Sequence, residues 1–380
     1  MTTATPARFA GLASRAGDTP ELVVDLAVLG RNIDRHATAA ADAGVALRPH
    51  IKTHKLPEIA RMQIDRGAVG IQVAKLGEAE VMIGAGITDV LIGYPIVGPS
   101  KVARLVALAE RATVTVSLDA LDVATPIATA AADRGLTIGL LVELDTGLGR
   151  VGVEPGPAAV ELVERLVQLP GVDVRGVLTH EGHVYAGARS PKELEELTRD
   201  ACQRTVATAE AIRAQGIAAP VVSVGSSGTF RFAIGVDGVT EVRPGTYVFN
   251  DLTQISLGAA TLADVAAVVT ATVVSGPRDS EVVLDAGSKA LTSDRMITHS
   301  APATFGAVYT VGGHTGRVVR LSEEHGIAAF GEGETPTIGE RVAIVPNHIC
   351  PVVNLFDYAT IVRDDTVLDR WAIAARGKMQ

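Results

Sequence analysis

Residues 47–55 read LRPHIKTHK and concentrate charge in a chain that is 47% hydrophobic and only 3% aromatic. The segment begins inside a stretch that predicts a strand over residues 46–52. Side chains on a strand alternate between its two faces, so Arg48, His50 and Lys52 are predicted to point the same way. A row of basic side chains within a sheet is unfavourable unless the charges are paired or used. Lys52 stands at the carboxyl end of this predicted strand.

Short apolar runs alternate with Ala-rich helical patterns from this segment onward. Eight runs predict strands, near residues 46–52, 70–75, 89–94, 113–119, 137–145, 174–180, 221–227 and 240–245. Repeated β-α units predict a parallel sheet, and eight of them in about 200 residues favour a (β/α)8 TIM-type barrel. An open Rossmann sheet is disfavoured because no G-x-G-x-x-G motif follows the first strand.

The pattern changes after about residue 252, where β-rich pieces such as EVVLDAG, FGAVY and ERVAIVPNHICPVVNL follow one another with Gly and Asp turns. We therefore predict a barrel domain over residues 18–250 and an all-β domain over residues 251–380. The early strand at 21–26 is expected to join the second domain.

Composition excludes several classes of protein. The net charge of −9 disfavours a nucleic-acid partner, which needs a basic surface. No apolar run reaches the ~18 residues of a membrane span, and the N-terminus lacks the apolar core of a secretory signal. Two cysteines do not make a disulfide framework. We expect a cytoplasmic enzyme.

Several polar strings follow the predicted strands on the carboxyl side, where barrel enzymes build their sites. Lys52 follows strand one, Arg150 strand five and Arg243 strand eight. His180, with His183 and Tyr185 behind it, follows strand six, and GSSG at 225–228 follows strand seven and resembles a phosphate cup.

Each of these strings also has an ordinary structural interpretation. Lys52 could reach from the rim to solvent, GSSG could be a turn, and His180 could be a core residue. Together, however, a lysine able to form a Schiff base, a phosphate cup and two arginines describe a site for pyridoxal phosphate.

The strings RPHIKTHK, ELDTGLGRVG, EVRPGTYVF and VPNHICPVVNL resemble the fold-type III pyridoxal-phosphate enzymes, in the branch of the D-threonine aldolases and D-serine dehydratases. The resemblance covers residues 18 to 378 and implies an alanine racemase-type barrel with a C-terminal β domain. It implies that Lys52 carries the cofactor, that Arg150 lies near its phenolic oxygen, and that His180 packs against its ring. It also implies Arg243 at the pyridine nitrogen and Gly225, Ser226 and Ser227 at the phosphate. Further predicted cofactor contacts are His50, Tyr185, Gly245 and Tyr247.

The string NHIC places His348 and Cys350 two residues apart, on one face of a predicted strand. An imidazole and a thiolate suit zinc or another borderline-soft ion, although an unpaired cysteine is more often a small core residue. The resemblance implies a divalent metal here: zinc, manganese or cobalt.

We therefore expect a lyase acting on D-β-hydroxy-α-amino acids, of the D-threonine aldolase type, with Lys52 and His180 as catalytic residues. A D-serine or D-3-hydroxyaspartate dehydratase is the alternative, because some aldolases have Asp at the position of Cys350 and a histidine at that of Ala186. A racemase is disfavoured because LDAGSKALTSD offers no tyrosine as a second base. A non-catalytic cofactor carrier is also disfavoured, because such proteins usually consist of the barrel alone, whereas this chain has a β domain with the NHIC string. The resemblance also implies a homodimer.

Overall fold

The computed structural model describes residues 4–15, 17–278, 280–295, 304–364 and 366–380. The chain divides into two compact units. The first, here called the β unit, contains residues 1–33, 53–56 and 246–376, and the second, here called the barrel unit, contains residues 34–52, 57–245 and 377–380. None of the described helices is both long enough and apolar enough to cross a membrane.

The described strands are β1 Glu21–Asp25, β2 Ala46–Leu47, β3 Ile71–Val73, β4 Asp89–Ile92, β5 Thr113–Leu118, β6 Ile138–Leu144, β7 Val172–Thr179, β8 Val221–Val224, β9 Glu241–Val242, β10 Ala267–Arg278, β11 Glu281–Leu284, β12 Gly306–Thr310, β13 Thr315–Leu321, β14 Gly326–Ala329, β15 Arg341–Pro346, β16 Tyr358–Arg363 and β17 Thr366–Ala372.

The described α-helices are α1 Ala4–Ala13, α2 Leu26–Asp42, α3 Pro57–Asp65, α4 Leu76–Gly84, α5 Pro99–Ala109, α6 Leu121–Ala132, α7 Pro157–Leu166, α8 Val184–Gly187, α9 Pro191–Ala214, α10 Phe230–Ala233, α11 Leu252–Ser256, α12 Ser288–Leu291 and α13 Ile349–Val353. Short 3₁₀ turns cover Ile51–Thr53, Thr246–Val248 and Leu262–Asp264.

The barrel unit is a ring of eight parallel strands, β2 to β9 in sequence order, in which β9 returns to pair with β2. A parallel bridge between His50 and Gln72 joins the segment after β2 to β3 and closes the ring. The predicted (β/α)8 barrel is therefore confirmed.

Burial explains why these segments form a parallel barrel. All seven residues of β6, IGLLVEL, are buried, as expected for a strand covered on both faces. Leu91 of β4, Leu141 of β6 and Leu178 of β7 form a small buried apolar cluster of their own. The larger core of this unit packs the apolar faces of α7 and α9 against the outside of the sheet.

The β unit contains the predicted C-terminal β domain. Strands β10, β11, β14, β13, β12 and β15 pair in a closed ring, because β10 bonds both β15 and β11. The early strand β1 extends this sheet, antiparallel to β10 and parallel to β16.

The first barrel strand is shorter than predicted. It ends at Leu47, and although the backbone N–H groups of Arg48 and His50 still donate to Val242 and Pro244, the chain then turns into the 3₁₀ segment Ile51–Thr53. Pro49 has no N–H to continue a regular ladder. Strand alternation therefore does not set the direction of the Lys52 side chain, and that part of the prediction is wrong.

Arg48 explains part of the basic segment. Its Nε donates to Glu241 at 2.8 Å and its Nη1 to Asp89 at 2.6 Å. Ser223 Oγ donates to the second oxygen of Glu241 at 2.5 Å. Arg48 is thus a structural cation that balances a buried carboxylate.

We predict that Arg48→Met lowers the free energy of unfolding by about 3–5 kcal/mol, because it removes the cation that is hydrogen-bonded to the buried Glu241. The matched control is Arg66→Met, which breaks an exposed pair with Asp34 at 2.7 Å and should cost less than about 1 kcal/mol. Urea denaturation of both variants measures the difference. Equal losses in the two variants would contradict a structural role for Arg48.

Candidate functional site

Lys52 lies half-buried in the 3₁₀ turn just beyond the carboxyl end of β2. Its backbone N–H approaches Nδ1 of His50 at 3.4 Å, and the His50 ring also bonds the backbone of Gln72. The same two residues form the bridge that closes the barrel. Lys52 is therefore held at the rim by the closure of the ring itself.

Two histidines near Lys52 are kept neutral. Burial lowers the pKa of His50 well below its usual value, and the charges of Lys52 and Arg243 lower it further. Burial likewise lowers the pKa of His180, with Lys52, Arg150 and Arg243 adding to the effect. Both imidazoles therefore report a positive potential, which suits an anionic ligand.

Arg150 and Arg243 occupy different environments. Arg150 is exposed on the loop after β6, where its Nη2 lies 3.6 Å from the buried carboxylate of Glu143. Arg243 is buried, and its Nε, Nη1 and Nη2 donate to Gln72 Oε1 at 3.0 Å, Ser223 Oγ at 2.5 Å and the Thr179 carbonyl at 2.6 Å. The geometry fixes the Arg243 guanidinium inside the barrel.

The loop after β8 is a cup of hydroxyl and amide groups. Gly225 has a φ of +108°, and a Cβ at this position would lie 3.3 Å from the backbone nitrogen of Arg243. Glycine therefore suits this turn. Tyr185 Oη donates to Ser226 Oγ and accepts from the Gly228 N–H at 3.0 Å. The Gly245 N–H donates to Ser227 Oγ at 3.1 Å. Neutral donors around a tight turn are the groups that proteins use for phosphate.

Sequence reasoning missed the carboxylate that supports this cup. Glu181 is fully buried, and it accepts from the Gly225 N–H at 3.1 Å and from the Thr229 hydroxyl. Its position directly after His180 was the only available signal. Sequence reasoning also missed Gln72 and Ser223, which accept hydrogen bonds from Arg243, because neither lies in a recognisable motif.

The barrel unit thus brings together Lys52, His50, His180, Arg150 and Arg243 with Tyr185, the cup and Gly245. Tyr247 lies in the β unit, where it is fully buried in the turn Thr246–Val248. The roles assigned to these residues stay predictions. Their groups fit pyridoxal phosphate: an amine at the rim, a cup of hydroxyl and amide groups, and two arginines whose charges reach His180.

The second candidate site lies in the β unit and differs from its predicted form. Strand β15 ends at Pro346, His348 is the N-cap of α13, and Cys350 lies inside that short helix. The prediction that both residues share a strand face is therefore wrong. Asp251 explains the turn, because its Oδ2 accepts from the Ile349 N–H at 3.1 Å and its Oδ1 from the Gln254 N–H at 2.9 Å. One carboxylate thus caps the starts of both α11 and α13.

His348 and Cys350 are nevertheless hydrogen-bonded to each other. Burial alone would raise the pKa of the Cys350 thiol, but the hydrogen bond and charge of His348 lower it below its usual value. The hydroxyl of Thr53 lies 3.1 Å from Sγ and that of Thr246 lies 3.5 Å away. Burial opposes the charged form of His348, yet Cys350, Asp251 and Asp294 together raise its pKa to about 9.

A thiolate beside an imidazole is a fitting donor pair for a divalent ion, which would replace the proton that the two groups share. Among the residues that the structure describes, no group of three or more His, Cys, Asp or Glu side chains has a metal-binding arrangement. Any ion held here would therefore have two protein ligands and open positions.

Two family models match the chain. The model described as "Alanine racemase, N-terminal domain" matches residues 24–252, and "Putative serine dehydratase domain" matches residues 266–362. Together they span the two units in the order in which the sequence predicted a barrel and then a β domain.

Curated relatives match over almost the full length. A D-threonine aldolase from Arthrobacter sp. is 35% identical, over 95% of this chain and 93% of its own. A D-threo-3-hydroxyaspartate dehydratase from Delftia sp. (strain HT23) is also 35% identical, over 92% of this chain and 96% of its own.

Solved structures show the same similarity. The D-threonine aldolase from Filomicrobium marinum has a TM-score of 0.87 at 34% identity, covering 96% of each chain. A cysteine-to-alanine variant of D-threo-3-hydroxyaspartate dehydratase, in its metal-free form, has a TM-score of 0.87 at 33% identity, covering 94% of this chain and 97% of its own.

We predict that the stability of the protein falls as pH drops below about 6.5, and that His180→Gln makes this fall shallower. The folded state keeps His180 neutral because its pKa is lowered, whereas the unfolded chain takes up the proton. Each such histidine contributes up to about 1.4 kcal/mol per pH unit in this range. Urea denaturation at pH 7.5, 6.5 and 5.5 measures the slope.

The control for this prediction is His325→Gln, which removes an exposed imidazole and should leave the slope unchanged. An unchanged slope in His180→Gln would show that His180 accepts its proton in the folded protein as readily as in the unfolded chain.

Proposed function

We propose that this chain is a lyase of D-β-hydroxy-α-amino acids. It belongs to the family of D-threonine aldolases and D-serine dehydratases, which is built on an alanine racemase-type barrel. The family models and relatives confirm the resemblance found in the sequence. Our first assignment is a D-threonine aldolase, which splits its substrate into glycine and an aldehyde. The full-length match to a D-threonine aldolase carries this assignment.

In this proposal the barrel unit holds pyridoxal phosphate. Lys52 would carry the cofactor covalently, Gly225 to Ser227 with Tyr185 would hold its phosphate, and His180 would pack against its ring. Arg150 would lie at the phenolic oxygen and Arg243 at the pyridine nitrogen. When bound, the cofactor supplies a sink for the electron pair left on Cα of the substrate.

The residues around it then have definite tasks. Lys52 would hold the cofactor through its amine, and the same amine, once free, would be placed to move a proton at Cα of the substrate. The neutral imidazole of His180 would offer a flat face to the cofactor ring without adding charge. The fixed guanidinium of Arg243 is anchored on three acceptors, so it orients its ligand without having to reorganise.

We further propose that His348 and Cys350 hold a divalent ion, either zinc, manganese or cobalt. Such an ion would supply Lewis acidity toward the β-hydroxyl of the substrate. Support comes from the bonded thiol–imidazole pair, and from a relative for which a cysteine-to-alanine variant is described in a metal-free form. In the sequence, Thr53, whose hydroxyl meets the Cys350 sulfur, directly follows Lys52.

The aldolase reaction moves two protons. The β-hydroxyl loses its proton, the Cα–Cβ bond breaks, Cβ leaves as the aldehyde carbon, and Cα takes a proton to become glycine. The chain must therefore accept one proton at the hydroxyl and deliver one at Cα, and Lys52 is our candidate for the second.

A dehydratase is the second candidate. It would remove the Cα proton and expel the β-hydroxyl, giving ammonia and a 2-oxo acid after hydrolysis. Cys350 and Ala186 favour it, because some aldolases have Asp and His at those positions, and the Delftia relative supports it. The homodimer and the cytoplasmic location remain predictions from the family resemblance and the composition.

We predict that the purified protein carries pyridoxal phosphate on Lys52. Borohydride reduction followed by peptide mass spectrometry should find the cofactor on the peptide containing Lys52, and Lys52→Ala should lose the visible absorbance. Lys55 and Lys289 are the comparison sites. Cofactor fixed at either of them, with Lys52 unlabelled, would overturn the assignment.

We predict that D-threonine gives glycine and acetaldehyde in equal amounts, and that EDTA or Cys350→Ala abolishes this turnover while the visible absorbance persists. The metal and the cofactor rest on different residues, so the two losses should separate. Added zinc, manganese or cobalt should restore only the chelated wild type. Cys202→Ala is the matched control, because Cys202 is the other cysteine of the chain and is fully buried in the core of the barrel unit, outside the NHIC motif. This variant should keep its turnover.

The outcome distinguishes the two candidates. Ammonia and 2-oxobutanoate instead of glycine would establish the dehydratase. Full activity of the metal-free enzyme would show that the pair His348 and Cys350 does not act through a metal.

A further inference from the structure

We propose that Asp294 is a positioning residue that orients His348 toward a bound metal. This inference rests on the metal site of the proposed function and adds to it a residue that neither the motif nor the family resemblance identified. Asp294 precedes His348 by 54 positions in a segment without recognisable metal spacing.

The contact itself selects a ring nitrogen. His348 Nδ1 lies 2.9 Å from Asp294 Oδ2. A carboxylate accepts and does not donate, so Nδ1 carries the hydrogen in this bond. The nitrogen left to bind a metal is then Nε2, and the carboxylate makes it a better donor.

The backbone of residue 294 also contacts the side chain of Asn347, the residue before His348. Its carbonyl accepts from Asn347 Nδ2 at 3.0 Å, and its own N–H donates to Thr292 Oγ1 at 3.2 Å. Asn347 in turn accepts through its carbonyl from the N–H of Thr253 at 3.2 Å and from its hydroxyl at 2.7 Å. Asp294 therefore contacts both the His348 ring, through its carboxylate, and the side chain of Asn347, through its carbonyl.

A purely stabilising role does not account for this arrangement. The side chains of His348 and Asp294 are 36% and 46% exposed, and ion pairs at such exposure contribute little to folding. Direct ligation by Asp294 is also disfavoured, because its carboxylate lies on Nδ1, and the described residues contain no three-group metal cluster. The remaining role is to fix the tautomer and direction of the histidine.

The test is metal affinity, measured without turnover. Cobalt(II) is titrated into the chelated wild type, Asp294→Asn and Asp294→Ala, following the absorbance of the cobalt–thiolate bond. Outer carboxylates of this kind contribute about 10- to 100-fold in affinity. We expect Asp294→Ala to raise the Kd by about that factor and Asp294→Asn, which keeps an acceptor oxygen, to raise it less.

Three further readouts separate positioning from other roles. The number of bound ions and the shape of the thiolate band should stay as in the wild type, and the melting temperature of the metal-free protein should change little. Glu324→Gln is the matched control, since it removes an exposed carboxylate of the β unit that pairs with Lys289.

The outcomes are decisive in each direction. A Kd within twofold of the wild type in Asp294→Ala would overturn the positioning role and leave the metal site intact. A changed band or lost stoichiometry would show that Asp294 is itself a ligand, which also overturns it. No cobalt binding by the wild type would remove the metal site, and with it both proposals about this motif.

Discussion

The parallel pairing of His50 with Gln72 is the interaction on which the barrel unit depends. It closes a ring of eight strands that would otherwise have two open edges, and an unpaired edge exposes a row of backbone donors and acceptors. Lys52 follows two residues later, at the rim. The side chain of Gln72 accepts from Arg243, so the residue that closes the ring also fixes the buried guanidinium. The contacts that close the barrel therefore also position Lys52 and Arg243, two of the candidate cofactor residues.

The basic segment divides into residues with different tasks. Arg48 forms salt bridges with Glu241 and Asp89 and has a structural role in the barrel. His50 is kept neutral by burial and by its cationic neighbours, and it serves the closing bridge. Lys52 is the member of the row that a cofactor would use. Because Arg48 is paired with carboxylates and His50 is neutral, Lys52 can lie at the rim without an excess of buried positive charge.

The fold could be predicted from sequence because its signals are local and repeated. Alternating β and α patterns indicated the barrel, and the change after residue 250 indicated the β domain. The errors occurred where single contacts override local pattern. Lys52 turns away from strand geometry after Pro49, and the segment after Pro346 forms a helix because Asp251 caps it from almost a hundred positions away. Glu181 and Asp294 were missed for the same reason, since their importance comes from partners distant in sequence.

The fate of the hydrogen on Cα decides whether the chain breaks the Cα–Cβ bond of a D-β-hydroxy-α-amino acid. D-Threonine carrying deuterium at Cα is turned over in ordinary water, and the products are analysed by mass spectrometry. Carbon–carbon cleavage leaves that hydrogen in place, so we expect glycine that retains one deuterium and gains one hydrogen from solvent. Release of the deuterium to solvent with formation of 2-oxobutanoate would contradict it.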